Sequence, residues 1–274
     1  MKKNLPRYFP LFVLPTFAAF AMAFIIPFIM GIWLSFCKFT TVSNAKWSGL
    51  DNYRRAFSNS DFTNALWFTV KFTVVSVITV NVFAFLLALL LTKGIKGTNI
   101  FRTIFFMPNL IGGIVLGYIW NLIINGVLAI FGVDITFKAE YGFWGLVILT
   151  NWQLIGYMMV IYIAGLQNIP RDLNEAAEID GASHGQILRK ITIPMVMPSV
   201  TICTFLTLTN SFKLFDAGAP GRETAMLALD IYNTFYGRTG WQGAGQAKAA
   251  IFFAITAVIA FVQLKITSRR EVQS

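Results

Sequence analysis

Apolar residues along this chain fall into six long blocks separated by polar stretches, at about 10–36, 65–92, 104–124, 143–166, 195–217 and 247–266. Each is close to or above the roughly 20 residues an α-helix needs to cross the hydrocarbon of a bilayer. Helix is the default for each block, because an open strand edge leaves backbone groups unsatisfied in lipid. The pattern predicts an all-α integral membrane protein with about six transmembrane helices, forming a single membrane domain over residues 1–274. Lys93-Gly94-Ile95-Lys96-Gly97 closes the second block, and Pro170 and Gly181 punctuate a longer polar stretch after the fourth. Pro15, Pro27, Pro108, Gly112 and Gly113 fall inside blocks, where neighbouring helices can satisfy the backbone groups they free. The first block follows Met1-Lys2-Lys3 in the manner of a signal peptide. It exceeds the core length of about 7–15 residues and lacks a small-x-small cleavage site, so it is expected to remain as the first span. No repeat, low-complexity tract or soluble domain is expected.

Composition supports lipid as the main solvent. Hydrophobic residues make up 56% of the 274 and charged residues only 12%, against roughly 25% charge in soluble domains. Mean hydropathy is +0.66. The net charge of +10 would otherwise suggest nucleic acid, but basic residues in so apolar a chain mark cytoplasmic loops. Nucleic acid is therefore not an expected partner. Cys37 and Cys203 are too far apart in sequence for a CxxC or metal spacing and read as free thiols, Cys203 within a span. His184 is the only histidine, which excludes the common zinc and haem ligand sets.

With an even number of spans both termini share one side. That side carries Lys2, Lys3, Arg7, Lys93, Lys96, Arg102, Arg171, Arg189, Lys190, Lys265, Arg269 and Arg270. The other carries fewer: Lys38, Lys46, Arg54, Arg55, Lys138, Arg222 and Arg238, with Lys71 at a boundary. The positive-inside rule places both termini, and the loop after the fourth span, in the cytoplasm.

That loop, Asn168 to Ser199, is too polar to span a membrane yet is dense in helix signals. Pro170 suits a first helical turn, Asp172 and Glu175 suit a helix N-terminus, and Gly181 suits a left-handed C-terminal cap. These predict a short helix over about 170–180. Ser183 with Gln186 makes a capping-box pattern that starts a second helix, and Pro194 and Pro198 bend the chain into the fifth span. The expected result is a rigid helix-turn-helix presenting Leu173, Ala176, Ala177 and Ile179 beside four carboxylates.

Glu175-Ala176-Ala177, Asp180-Gly181-Ala182, Ile191, Pro194 and Pro198 together resemble the EAA loop of ABC importer permeases. Phe101 to Pro108, Phe215-Asp216 through Gly218-Ala219-Pro220-Gly221 to Phe235, and Gly49-Leu50-Asp51-Asn52-Tyr53 resemble the sugar-permease branch related to the maltose transporter. The resemblance covers most of the chain. It implies the type I importer permease fold, with a cytoplasmic coupling loop over about 168–199 that docks into a cleft of an ATPase subunit. Glu175, Ala176, Ala177, Asp180, Gly181 and Ala182 then form the coupling site. The implied partners are two nucleotide-binding ATPase subunits, a second and different permease, and an extracytoplasmic solute-binding protein, in a bacterial inner membrane. ATP and Mg would be used by the ATPases; this chain has no GxxxxGK[ST] loop and is expected to bind no cofactor and to be no enzyme. The loop at Gly218–Gly221 is shorter than the family's Gly-Gly-Pro loop, so contacts to the binding protein are expected to differ.

Polar residues inside spans tend to face a cavity or the bundle interior. The candidates are Asn109, Tyr118 and Asn121, then Asn151, Gln153 and Tyr157, then Asn210, Lys213 and Asp216. Amides beside aromatic rings suit a neutral, hydroxyl-rich solute, which agrees with the sugar or oligosaccharide that the resemblance implies. Interhelical bonding is the alternative for each of these residues. Lys213 and Asp216 lie one turn apart and could pair, and Gly113 with Gly117 reads as a helix-packing spacing. An ion-coupled secondary transporter is the competing class, but it predicts inverted repeats and paired ionisable groups near the midplane. No repeat is visible, and only Lys213 and Asp216 approach the second feature. A membrane enzyme finds no HExxH and no Ser/His/Asp or Cys/His set.

Overall fold

The computed structural model describes residues 5–135, 137–214 and 225–268. The chain opens with α1 (Leu5–Phe20) and α2 (Ile26–Ser35), joined by a π-helical turn at Ala21–Ile25. Pro27 explains that turn. Its ring would clash with the carbonyl four residues back, and one extra residue in the ladder relieves the clash. Ile26 accordingly donates to the Ala21 carbonyl, five residues away. A two-stranded antiparallel hairpin follows, β1 (Cys37–Lys38) paired with β2 (Lys46–Trp47), then α3 (Asp51–Phe57) and α4 (Ser60–Leu91). After α5 (Thr98–Phe106) and a 3₁₀ turn at Met107–Leu110 come α6 (Gly113–Ala129) and α7 (Ala139–Gln167). Next are α8 (Arg171–Ile179), α9 (His184–Ile187), a π-turn at Leu188–Thr192, α10 (Ile193–Met195) and α11 (Met197–Lys213). The described chain closes with α12 (Leu227–Gly237) and α13 (Gln242–Ser268).

Among the described residues four helical stretches are long and apolar enough to cross a membrane: Val13–Ser35, Ser60–Leu91, Ala139–Gln167 and Gln242–Thr267. The count becomes six if each of two bent pairs is one span. These are Thr98–Leu110 with Val115–Ala129, bent by 102°, and His184–Met195 with Met197–Lys213, bent by 66°. The block at 104–124 is thus two helices meeting at a break, whereas the block at 195–217 is essentially the single helix α11, and the bend lies at its start, where Pro194 and Pro198 were expected to place it. In the first, Ile111 and Gly112 are extended (ψ 128° and 137°), which interrupts the i→i−4 ladder after Pro108. In the second, Pro194 has no N–H, and the preceding Ile193 donates five residues back to Leu188. The same proline logic therefore produces both π-turns.

The chain folds into two compact units. The first holds the described residues up to Phe62 together with Asp230–Phe253. Its small core is Leu34, Cys37 and Phe39, with Ala45 and Phe235 packed against it. Asn52 is buried and donates to the Ser35 and Cys37 carbonyls, at 2.9 and 2.8 Å, which ties α3 to the end of α2 and the hairpin. Gly243 makes room for this: a Cβ there would overlap the Cys37 carbonyl. Lys248 on α13 is fully buried, yet its Nζ donates to Asp230 Oδ2 and Thr234 Oγ1 of α12, both at 2.8 Å, and lies over the Phe62 ring. An ammonium inside an apolar helix pair persists only with such a partner. Arg238 pairs with Asp61 at 2.8 Å, and Arg238 and Arg55 both lie over the Trp241 ring.

The second unit comprises Thr63–Leu229 and the described residues from Ala254 on. Here α7 packs against α5 and α11. Val80, Ala84, Ala88 and Leu91 of α4 meet Leu154, Met158, Met159, Tyr162 and Ile163 of α7, with Val196 and Cys203 from the α11 side. A second cluster joins Phe72, Leu146, Val147 and Met226. Close approach depends on glycine at two points. A Cβ at Gly156 would overlap the Phe105 carbonyl, and one at Gly165 would overlap Ser199 Oγ. Polar side chains stitch the helices together inside: the Tyr162 hydroxyl donates to Asn81 Oδ1 at 2.8 Å, and Asn81 Nδ2 reaches Thr207 Oγ1 at 3.4 Å. Both cysteines are free and buried.

Removing one partner of the Lys248–Asp230 pair strands a buried charge, which costs about 3–5 kcal/mol. Lys248→Met is expected to lower thermal stability of the purified protein sharply, while Lys248→Met with Asp230→Leu recovers most of the loss. A thermal unfolding series in detergent reads both; equal losses in the single and double variants would contradict the assignment.

Candidate functional site

The second unit contains a half-open cavity of about 430 Å³. Its walls are Asn109 from the turn after α5, Gly113, Leu116 and Gly117 from α6, and Leu149, Thr150, Gln153 and Leu154 from α7. Asn210, Ser211, Lys213 and Leu214 at the end of α11 complete them. The helix break at Ile111–Gly112 matters here, because it turns Asn109 and the start of α6 toward one space. Gly113 and Gly117, expected as a packing pair, line the cavity instead, and a Cβ at Gly113 would meet nothing within 4 Å. Three amides and two hydroxyls, each able to donate and accept, stand beside leucine side chains. Among the described residues lining it, Lys213 is the single charged group. Such a surface has the chemistry to meet a solute with many hydroxyls and some apolar face.

Four of the pathway candidates read from sequence, Asn109, Gln153, Asn210 and Lys213, meet at this cavity. Tyr118, Asn121, Asn151 and Tyr157 are not among its lining. Tyr118 is 69% exposed on α6. Asn121 Oδ1 accepts from Asn125 Nδ2 at 2.9 Å, and Asn125 Oδ1 accepts from the Ile135 amide, so this pair shapes the turn after α6. Asn151 donates to Thr79 Oγ1 at 2.9 Å and to the Val147 carbonyl at 2.8 Å, the interhelical role that was its alternative. The Tyr157 ring meets Phe106 edge-on at 6.3 Å. Asp216, its expected pair with Lys213, and the Gly218–Gly221 loop lie outside the described residues. Thr150 and Ser211 line the cavity and were not anticipated; the available signal was that Thr150 lies one helical turn before Gln153.

A second site is built by α8 and its turn. Pro170 occupies the N-cap, one place before the expected first turn, with ψ 131°. At the other end Gly181 is left-handed (φ +76°). The Ala182 amide donates to the Ala177 carbonyl at 2.9 Å, and the Gly181 amide to the Glu178 carbonyl at 3.0 Å. These two bonds define a Schellman motif, which fixes the direction in which the chain leaves the helix. Ser183 then opens α9 with a reciprocal capping box: Gln186 Oε1 accepts from the Ser183 amide at 2.8 Å, and Ser183 Oγ accepts from the Gln186 amide at 3.4 Å. Glu175, Ala176, Asp180 and Gly181 are exposed, and Ala177 and Ala182 half-buried. Ile179 is 87% exposed. The helix is thus a locally rigid knob with an apolar tip and a rim of carboxylates.

A family model described as "binding-protein-dependent transport system inner membrane component" matches residues 93–271, which include both the cavity wall and the α8 turn. The chain belongs to this family. The permease is 43% identical over 278 residues to the probable starch degradation products transport system permease protein AmyD of Thermoanaerobacterium thermosulfurigenes, covering 96% of this chain and 94% of that protein. It is 29% identical over 273 residues to the trehalose/maltose transport system permease protein MalF of Thermococcus litoralis, covering 93% and 92% of the two chains. Its fold is that of a chain in the crystal structure of a bacterial ABC transporter involved in the import of the acidic polysaccharide alginate (TM-score 0.80, 19% identity, 97% and 98% coverage). The fold is therefore that of an ABC importer permease, built from several membrane-crossing helices.

Gly181→Val places a β-branched residue where φ is positive, at a cost of about 1–2 kcal/mol. The Schellman bonds are expected to open, and hydrogen exchange at the Gly181 and Ala182 amides is expected to rise several-fold. Unchanged protection at those amides would contradict the geometry described.

Proposed function

We propose that this permease imports a sugar or oligosaccharide, handed over by an extracytoplasmic binding protein, through the cavity formed by α6, α7 and α11. The observation that carries the reading is the cavity lining, in which Asn109, Thr150, Gln153, Asn210 and Ser211 surround leucine side chains. Sugars present alternating hydroxyl edges and apolar ring faces, and this surface offers a partner to each. The solutes named for the starch-product and trehalose/maltose relatives belong to that chemical class.

Energy would come from outside the chain. In this reading α8 docks into a cleft of a nucleotide-binding ATPase subunit, and the ATPases hold ATP and Mg. Its exposed Leu173, Ala176 and Ile179 enter an apolar cleft, while Glu175 and Asp180 pair with basic groups at the rim. Small alanines allow close approach, and the Schellman turn transmits the push of the ATPases to α9 and on to α11. Two ATPases and a second permease complete the transporter, with both termini of this chain cytoplasmic, in agreement with the distribution of Lys and Arg.

Affinity purification of the tagged chain from its native host, followed by mass spectrometry, is expected to recover a nucleotide-binding ATPase and a second permease. Glu175→Lys reverses the charge at the proposed rim and is expected to lower ATPase recovery at least several-fold while the second permease stays bound. Recovery of the chain alone, active in liposomes without ATP, would contradict the importer reading. In transport assays Gln153→Leu removes one hydrogen-bonding amide, and about a tenfold rise in the KM for uptake is expected. An unchanged KM would remove Gln153 from the solute path.

A further inference from the structure

On α4, α7 and α11, five buried polar atoms have no hydrogen-bond partner among the described residues: Thr73 Oγ1, Ser76 Oγ, Thr150 Oγ1, Asn151 Oδ1 and Ser211 Oγ. The four hydroxyl-bearing residues are between 0% and 4% exposed. The contacts between their helices place them on facing stretches of α4, α7 and α11. Phe72 of α4 shares a buried cluster with Leu146 and Val147 of α7, and Asn151 of α7 donates to Thr79 of α4 at 2.9 Å. Between those two contacts lie Thr73 and Ser76 on α4, one turn apart, and Thr150 and Asn151 on α7. Thr150 also reaches the cavity, where Ser211 of α11 stands in the same wall.

A hydroxyl on a helix usually bonds back to the carbonyl one turn earlier. Its neighbours here do so: Thr79 to Val75 at 2.9 Å, Thr207 to Cys203 at 2.8 Å and Thr209 to Phe205 at 3.0 Å. The four seam hydroxyls forgo that bond and stay sealed from lipid, so their hydrogen bonds have to go to something between the helices. Buried polar groups of this kind hold ordered water, each molecule taking about three bonds. The hydroxyls can each donate and accept, as water does, which suits water as the bridging group.

We propose that α4, α7 and α11 enclose a site for ordered water, bound by Thr73, Ser76, Asn151, Thr150 and Ser211 and opening into the cavity through the last two. The water bridges α4 to α7 behind the wall and presents its remaining hydrogen bonds to whatever occupies the cavity. The site stands on the buried hydroxyls and does not depend on which solute is carried.

Two measurements test it. A structure of the assembled transporter at a resolution that shows solvent is expected to contain density within hydrogen-bonding distance of both Ser76 Oγ and Asn151 Oδ1. Hydroxyls turned onto their own helix carbonyls across a dry seam would overturn the proposal. The Thr73→Val, Ser76→Ala double variant nearly conserves volume while deleting two water ligands. Its melting temperature in the assembled complex is expected to fall by roughly 2–4 °C for each hydroxyl. An unchanged or raised melting temperature, which follows if these groups hold nothing, would likewise overturn it. If the double variant does not assemble, the solvent density in the unmodified complex decides.

Discussion

Lipid offers no hydrogen bonds, so every polar group this chain carries between its membrane surfaces has to find a partner in protein or water. Much of the arrangement is a response to that constraint. Lys248 is tolerated on α13 because Asp230 and Thr234 of α12 meet two of its three donors. Asn81 joins α4 to α7 and α11 through Tyr162 and Thr207, and Asn151 joins α7 to α4 through Thr79. These bonds fix which helix faces meet. Apolar packing then fills the contact, with Gly156 and Gly165 letting backbones approach where a side chain would not fit.

The same constraint gives the half-open cavity its meaning. A wall of amides and hydroxyls cannot face hydrocarbon, so it has to meet water, a polar solute or another polypeptide. The proposed second permease would supply the missing side. The helix breaks serve this arrangement as well. At Ile111–Gly112 the chain leaves one helix direction for another, and Asn109 comes to stand opposite Gln153 and Asn210 rather than stacking on its own helix. At Pro194 the π-turn and bend carry the chain from the exposed α8–α9 turn into α11, whose far end forms the cavity wall. A displacement of α8 therefore has a continuous covalent route, through α9 and along α11, to Asn210 and Ser211.

What could be read in the sequence divides by the range of the interaction. The turn after α8 was legible because its signals are local: Gly181 stands where a left-handed residue is needed, and Ser183 and Gln186 cap each other three residues apart. Only the role of Pro170 shifted, by one place. The long apolar blocks were equally plain, since hydropathy needs no partner. Direction was not: a hydropathy window cannot distinguish one span from two helices at 102°, although Pro108 and Gly112 marked the place. The fate of each polar residue was the least legible. Gln153 and Asn151 are two residues apart on α7, and one faces the cavity while the other is spent on Thr79. That choice depends on where α4 lies, which no local pattern encodes. Thr150 and Ser211 carry no local signal, since single hydroxyls in apolar helices usually bond their own backbone.

The central claim is that the α6–α7–α11 cavity is the solute path and is opened alternately by ATP. Both native cysteines are buried, so Gln153→Cys gives a single accessible thiol with little background. Its rate of modification by a membrane-impermeant thiol reagent, applied from each side of vesicles carrying the assembled transporter, tests the claim most directly. The account predicts that trapping the ATP-bound state moves access from the cytoplasmic to the outer side, and that transported sugar slows the reaction. Access that is indifferent to ATP, or no reaction from either side in any state, would contradict it.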